Sequence, residues 1–168
     1  MTQSSAVVQT DVHERFMHAA IERAIDAERD DALPIGAVLV KNSEIIADGV
    51  SLVWKNSDPS AHAEMECLRN GCMKLGTFGL TDCVLYSTLE PCCMCLCCAS
   101  WSQLSTLVYG AHQSDVSPAN HYELDNYDAA TVAANAHRPT NNPFTVVEGV
   151  LRQECAQLLT NYKGWEKT

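Results

Sequence analysis

The sequence is short of positive charge. Eleven Lys and Arg stand against twenty-one Asp and Glu, for a net charge of −10 and a pI near 4.9. Each phosphate contact needs a cation, so this balance argues against a broad nucleic-acid surface. Long apolar runs are missing too, and none approaches the roughly 20 residues that a membrane helix requires. The first ten residues carry neither a basic nor an apolar signal region, so no secretory leader is expected. Internal repeats and low-complexity tracts are also absent. What remains is 168 residues, 46% apolar and 19% charged, a balance suited to one globular domain.

Cysteine is the abundant residue. There are nine, and Cys92, Cys93, Cys95, Cys97 and Cys98 fall within seven positions. Thiols packed so densely along one segment cannot all pair with each other, which argues against a disulfide scaffold. A reducing, cytoplasmic setting is expected, where clustered thiols point to metal.

The pattern alternates helix and strand. Asp11 and Glu14 resemble a capping box, and Phe16, Ala19, Ala20, Arg23, Ala24 and Ala27 trace one helical face over residues 12–28. Segments 35–41 and 44–51 are β-rich and joined by Asn42-Ser43, the signature of a hairpin. Asp58-Pro59-Ser60 marks a helix entry, with that helix reaching about residue 73. Strands are expected at 83–87, 105–109 and 144–148, and helices from Pro91 to Trp101, over 128–136 and over 151–162. The stretch 114–143 is otherwise polar and without firm periodicity. An α/β layered domain follows.

Two short runs carry the chemistry. In Pro91-Cys92-Cys93-Met94-Cys95, residues 92 and 95 share one helical face at a helix start, where partial positive charge favours thiolates. His62-Ala63-Glu64 opens another helix and offers an imidazole as a third ligand. One imidazole and two thiolates are the ligand count of a catalytic zinc, with one position left to water. A structural zinc would need a fourth protein ligand and has no use for Glu64. A hydrolytic zinc needs a carboxylate to carry protons. Cys93, Cys97 and Cys98 are read as small packing residues. Cys67, Cys72, Cys83 and Cys155 are read as core or surface thiols.

His-x-Glu followed by Pro-Cys-x-x-Cys is the signature of zinc deaminases. Residues 35–109 resemble the cytidine deaminase-like superfamily, in its free-base and tRNA branch. The runs 56–64 and 89–95 look like those of bacterial guanine deaminases; yeast-type cytosine deaminases and bacterial tRNA adenosine deaminases share the core. The resemblance implies a three-layer α/β/α sandwich around a mixed five-stranded sheet. It also implies a single deaminase domain over 1–168 behind a flexible 1–10, and a homodimer. By the same resemblance one Zn²⁺ is held by His62, Cys92 and Cys95, with Glu64 as catalytic proton carrier.

Asp115, in the run 109–115, takes by resemblance the role of an aspartate that assists substrate binding or proton transfer. Trp101 sits where guanine deaminases place a tryptophan. The backbone N–H of Ala63 or Cys92 is a candidate donor to the substrate, and Trp165 a candidate to close over a flat ring. Counted back without gaps from His62, the base-binding asparagine of the family falls on Ser51. A serine hydroxyl does not reproduce the paired donor and acceptor of an amide.

The expected substrate is therefore a small amino-substituted nitrogen heterocycle, with neither nucleic acid nor membrane as partner. Two other readings compete. Transfer-RNA adenosine deamination would call for a basic rim. A non-catalytic zinc or thiol module would leave Glu64 without a role.

Overall fold

Five strands and the helices around them assemble in the order that the alternating pattern implies. The computed structural model describes residues 3–116, 128–136, 138 and 142–167. Strand β1 (Gly36–Lys41) turns through Asn42 and Ser43 into β2 (Glu44–Val50). Both turn residues have positive φ, 52° and 63°, as a tight hairpin of matching twist requires. Strands β3 (Cys83–Leu89), β4 (Thr106–Ala111) and β5 (Thr145–Val147) complete a sheet of order β2-β1-β3-β4-β5. β1 is antiparallel to both neighbours, whereas β3, β4 and β5 are parallel. The sheet is mixed, as expected.

Side-chain alternation along the strands separates two cores. Ala37, Leu39, Leu85 and Leu107 pack with α3 (Ala63–Leu75), α4 (Cys93–Trp101) and α5 (Ala129–Asn135). Val38, Val40, Tyr86 and Val108 pack with α1 (Gln3–Arg29) and α6 (Arg152–Thr160) on the opposite face. The result is the α/β/α sandwich. Among the described residues, no helix is long and apolar enough to cross a membrane.

Helix α1 departs from expectation at its start. It begins at Gln3, so the Asp11–Glu14 pair lies inside it and residues 3–10 extend it. A capping pair opens a helix only where the preceding backbone leaves the helical region, and no Gly or Pro precedes Asp11 to make it do so. The buried face is Phe16, Met17, Ala20, Ile21, Ala24 and Ala27, while Arg23 sits at its edge and pairs with Asp26. A four-residue helix, α2 (Val53–Asn56), was not expected at all. One turn is too short to show a period.

Two features bring the site together. First, β2 runs in the direction of β3, because both oppose β1. The chain therefore leaves β2 and β3 at the same end of the sheet, where α3 and α4 begin. Second, Gly49 lets α3 lie directly on β2: a Cβ there would collide with Ala63 O and Cys67 N.

Candidate active site

His62 and Cys92 occupy equivalent places, each the N-cap of its helix with extended backbone. Neither side chain caps its own helix. The His62 Nδ1 and Cys92 Sγ atoms lie 3.6 Å apart, and Cys92 Sγ lies 3.5 Å from Cys95 Sγ. One atom from each of the three residues falls within 4.8 Å of the others. A tetrahedral ion with Zn–S bonds of about 2.3 Å sets its sulfurs roughly 3.8 Å apart, so this spacing needs little adjustment to hold zinc. Two thiolates and an imidazole also match the ion's preference for sulfur and nitrogen donors.

Protons at the cluster are unevenly shared. Its contact with Cys95, helped by His62, pulls the Cys92 thiol down to about 4 despite its burial. The Cys95 thiol is pushed well above its ordinary value by its bond to Cys92, by burial and by the Glu64 charge. The pair thus carries one negative charge already at neutral pH. Binding a cation there expels the second proton.

Glu64, one residue inside α3, is 4% exposed. Its Oε1 accepts a hydrogen bond from Ser87 Oγ at 3.3 Å and its Oε2 accepts one from Cys95 Sγ at 3.7 Å. Burial raises its pKa, opposed by the neighbouring imidazole. A carboxyl held this way, beside the cluster, holds a proton more readily than an exposed one. Ser87, on β3, had no signal in the sequence; its place under Glu64 depends on α3 crossing that strand.

A cavity of about 590 Å³ opens over the cluster. Ser51, His62, Ala63, Glu64, Cys92 and Trp165 all line it. Among the further lining residues, which were not anticipated, are Trp54 on α2, and Glu90 and Gln113. The buried Glu90 carboxylate accepts bonds from the backbone N–H of Gln113 at 3.0 Å and of Ala129 at 2.9 Å. It thereby ties the turn after β4 and the start of α5 to the residue before Pro91. Its position beside Pro91-Cys92 was the one signal available.

Two expected contacts lie elsewhere. Trp101 is 83% exposed at the last residue of α4. Nine helical residues place it about 13 Å along the axis from Cys92, which carries it away from the cavity. Asp115, in a 3₁₀ turn (Gln113–Asp115), is outside the lining even though Gln113 and Val116 belong to it. Its carboxylate is engaged by Arg152 Nε and Nη2 at 2.9 and 2.8 Å and by the His112 backbone N–H at 2.9 Å. The bidentate guanidinium takes the group that the resemblance assigned to substrate.

That pairing has a pH signature. Arg152 is the main cause of the lowered Asp115 pKa, followed by the His112 N–H. A depressed carboxylate contributes stability that is present above its unfolded pKa near 3.9 and lost as pH falls through the folded value. Asp115→Asn is therefore expected to lower the melting temperature by a few degrees at pH 7. The gap to the wild type should close as the pH falls below about 4.

Chemically, such a centre activates water beside a buried proton carrier, the equipment of a metal-dependent hydrolase. Comparison with known proteins makes this specific. Residues 10–111 match the family described as the cytidine and deoxycytidylate deaminase zinc-binding region, and the chain belongs to that family. It is 35% identical to the tRNA-specific adenosine deaminase of Haemophilus influenzae over 161 residues, covering 94% of this chain and 87% of that protein. It is 39% identical to the guanine deaminase of Bacillus subtilis over 108 residues, 64% of this chain and 69% of the relative. Among solved structures, one from a study of A-to-I editing by tRNA deaminases superposes with a TM-score of 0.72 at 31% identity, over 86% of this chain and 99% of the other. The guanine deaminase from Nitrosomonas europaea also reaches 0.72, at 27% identity over 89% and 83%.

Proposed function

We propose that the protein hydrolyses the exocyclic amine of a small amino-substituted nitrogen heterocycle, with Zn²⁺ held by His62, Cys92 and Cys95. When bound in such a set, zinc acidifies water to a pKa of about 7. Glu64 accepts a proton from the attacking water as the new C–O bond forms at the amine-bearing carbon. It delivers that proton to the ring nitrogen, then takes the second proton of the former water from the new C–OH group and passes it to the amine, so the C–N bond breaks, a C=O bond forms and ammonia leaves. Ser87 holds Glu64 in place by its hydroxyl. The backbone at Ala63, in the first turn of α3 and in the cavity wall, is positioned to meet a ring oxygen. By the same resemblance the protein works as a homodimer.

One observation supports a free heterocycle over RNA: among the described residues no Lys or Arg lines the cavity, in a chain of net charge −10. A polynucleotide needs cations along its phosphates. The second reading, tRNA adenosine deamination, draws on the nearly full-length match to a tRNA-specific relative. It would rely on the exposed Lys55 and Lys163, which flank Trp54 and Trp165 in sequence. Ammonia release by the zinc-loaded protein separates the two. Purine and pyrimidine free bases, their nucleosides and a tRNA anticodon stem-loop are offered in parallel. Release from free bases, with the RNA inert, is the expected result; activity on the stem-loop alone would sink the free-heterocycle reading.

A further inference from the structure

The cavity has an unusual division between polar and apolar wall. Glu90 is occupied by two backbone N–H groups, and the Gln113 side-chain amide donates to Glu90 O at 2.7 Å. His62 and Cys92 belong to the metal cluster and Glu64 to proton transfer. At the position counted back from His62 as the base-reading one, this leaves the Ser51 hydroxyl to meet the edge of a ring. One hydroxyl makes one directional contact and supplies little discrimination.

The remaining wall is apolar and carries two indoles, Trp54 and Trp165. Trp54 is braced from behind. Tyr162 stacks against it with centroids 6.2 Å apart and planes 21° from parallel, and Tyr162 is outside the lining. Tyr162 in turn meets Trp165 edge-on at 5.6 Å. Trp165 is fixed through its indole N–H, which donates to Leu159 O at 3.0 Å. Three aromatic rings thus form a continuous support, and the Trp54 indole lines the cavity. Held rings of this kind bind flat π systems at small entropic cost.

We propose that Trp54 is the specificity-determining residue of this site. It selects its substrate as a flat fused-ring heterocycle by stacking, in place of edge recognition from position 51. This rests on the heterocycle reading above and narrows it to bicyclic rings of purine or pteridine size. Selection is by area and flatness, so rings with different hydrogen-bonding edges are accepted alike.

The test is calorimetric binding to the zinc-loaded protein, using purine and pyrimidine, two rings without an exocyclic amine to lose. Wild-type protein should bind purine about tenfold more tightly than pyrimidine. Trp54→Leu, which keeps apolar bulk without a π face, should weaken purine binding by about tenfold or more, the scale of one aromatic–base stack. Trp54→Phe should recover most of it, and Ser51→Ala should change it less than about threefold. Melting curves of each variant confirm that it is folded. Equal binding by Trp54→Leu and the wild type overturns the proposal, as does a loss in Ser51→Ala as large as in Trp54→Leu. Binding is read without turnover. A protein that binds purine as described but releases no ammonia from any heterocycle therefore refutes the proposed reaction and leaves the stacking site standing.

Discussion

Glu64→Gln is expected to keep its zinc, near one ion per chain, and to lose about 10²–10⁴-fold in turnover, the usual contribution of a positioned acid–base group. The substitution is nearly isosteric and removes a charge from a site 4% exposed. The amide still faces Ser87 Oγ and Cys95 Sγ, so neither fold nor cluster loses a neighbour. What disappears is the ability to take a proton from water and return it to the leaving amine. Metal content by plasma emission spectroscopy and ammonia release on the same sample make the check. A variant that turned over at the wild-type rate would show that the proton travels by another route.

Cys95→Ala should have the other large effect. Cys95 is 1% exposed and joins the cluster from the first turn of α4. Removing a partner of a metal ligand costs about 10–100-fold in affinity, and removing a direct ligand costs more. Zinc should therefore fall far below one per chain after dialysis, and ammonia release should disappear with it. Chelation of the wild type should do the same but reversibly, with activity returning on zinc addition. Cys98→Ser is the control: Cys98 packs against the α3/α4 core, outside the three-residue cluster, and its loss should leave zinc in place. If Cys95→Ala retained a full ion while Cys98→Ser lost it, the assigned ligand set would be wrong.

Much of the architecture was legible because each element carries its own local signal. The hairpin at Asn42-Ser43 follows from turn chemistry, and α3 and α4 follow Pro-containing entries. The layer order follows from strands and helices that alternate. The errors were also local in origin. Asp11 and Glu14 form a capping pattern that the backbone overrides by staying helical through Thr10. The four residues of α2 are too few to show a helical period, and with them went Trp54, the largest side chain in the cavity wall that was not anticipated.

The site shows the same limit more sharply. Cys92-x-x-Cys95 and His62-x-Glu64 are short-range patterns: a three-residue spacing suits one helical face, and the extended N-cap backbone at His62 brings it and Glu64 to the same cavity. Counting residues back from His62 found Ser51, which does line the cavity. Counting could not find Arg152, thirty-seven residues beyond Asp115, whose guanidinium holds that carboxylate. Nor did it reveal that Trp101, at the far end of α4, is left exposed and outside the cavity.

The sequence by itself picked out the candidate chemistry: which residues could ligate a metal, which carboxylate could carry a proton, and which helix starts present them. It did so because zinc ligation and acid–base catalysis depend on residue type at fixed local spacing. Tertiary structure alone decided what surrounds that chemistry. The antiparallel placement of β1 between β2 and β3 delivers two helix starts to one end of the sheet and lets His62 meet Cys92 across thirty residues. The C-terminal aromatics reach Trp54 because α6 packs on the face of the sheet opposite α3 and α4. Long-range packing sets these contacts, and no local period or spacing records it.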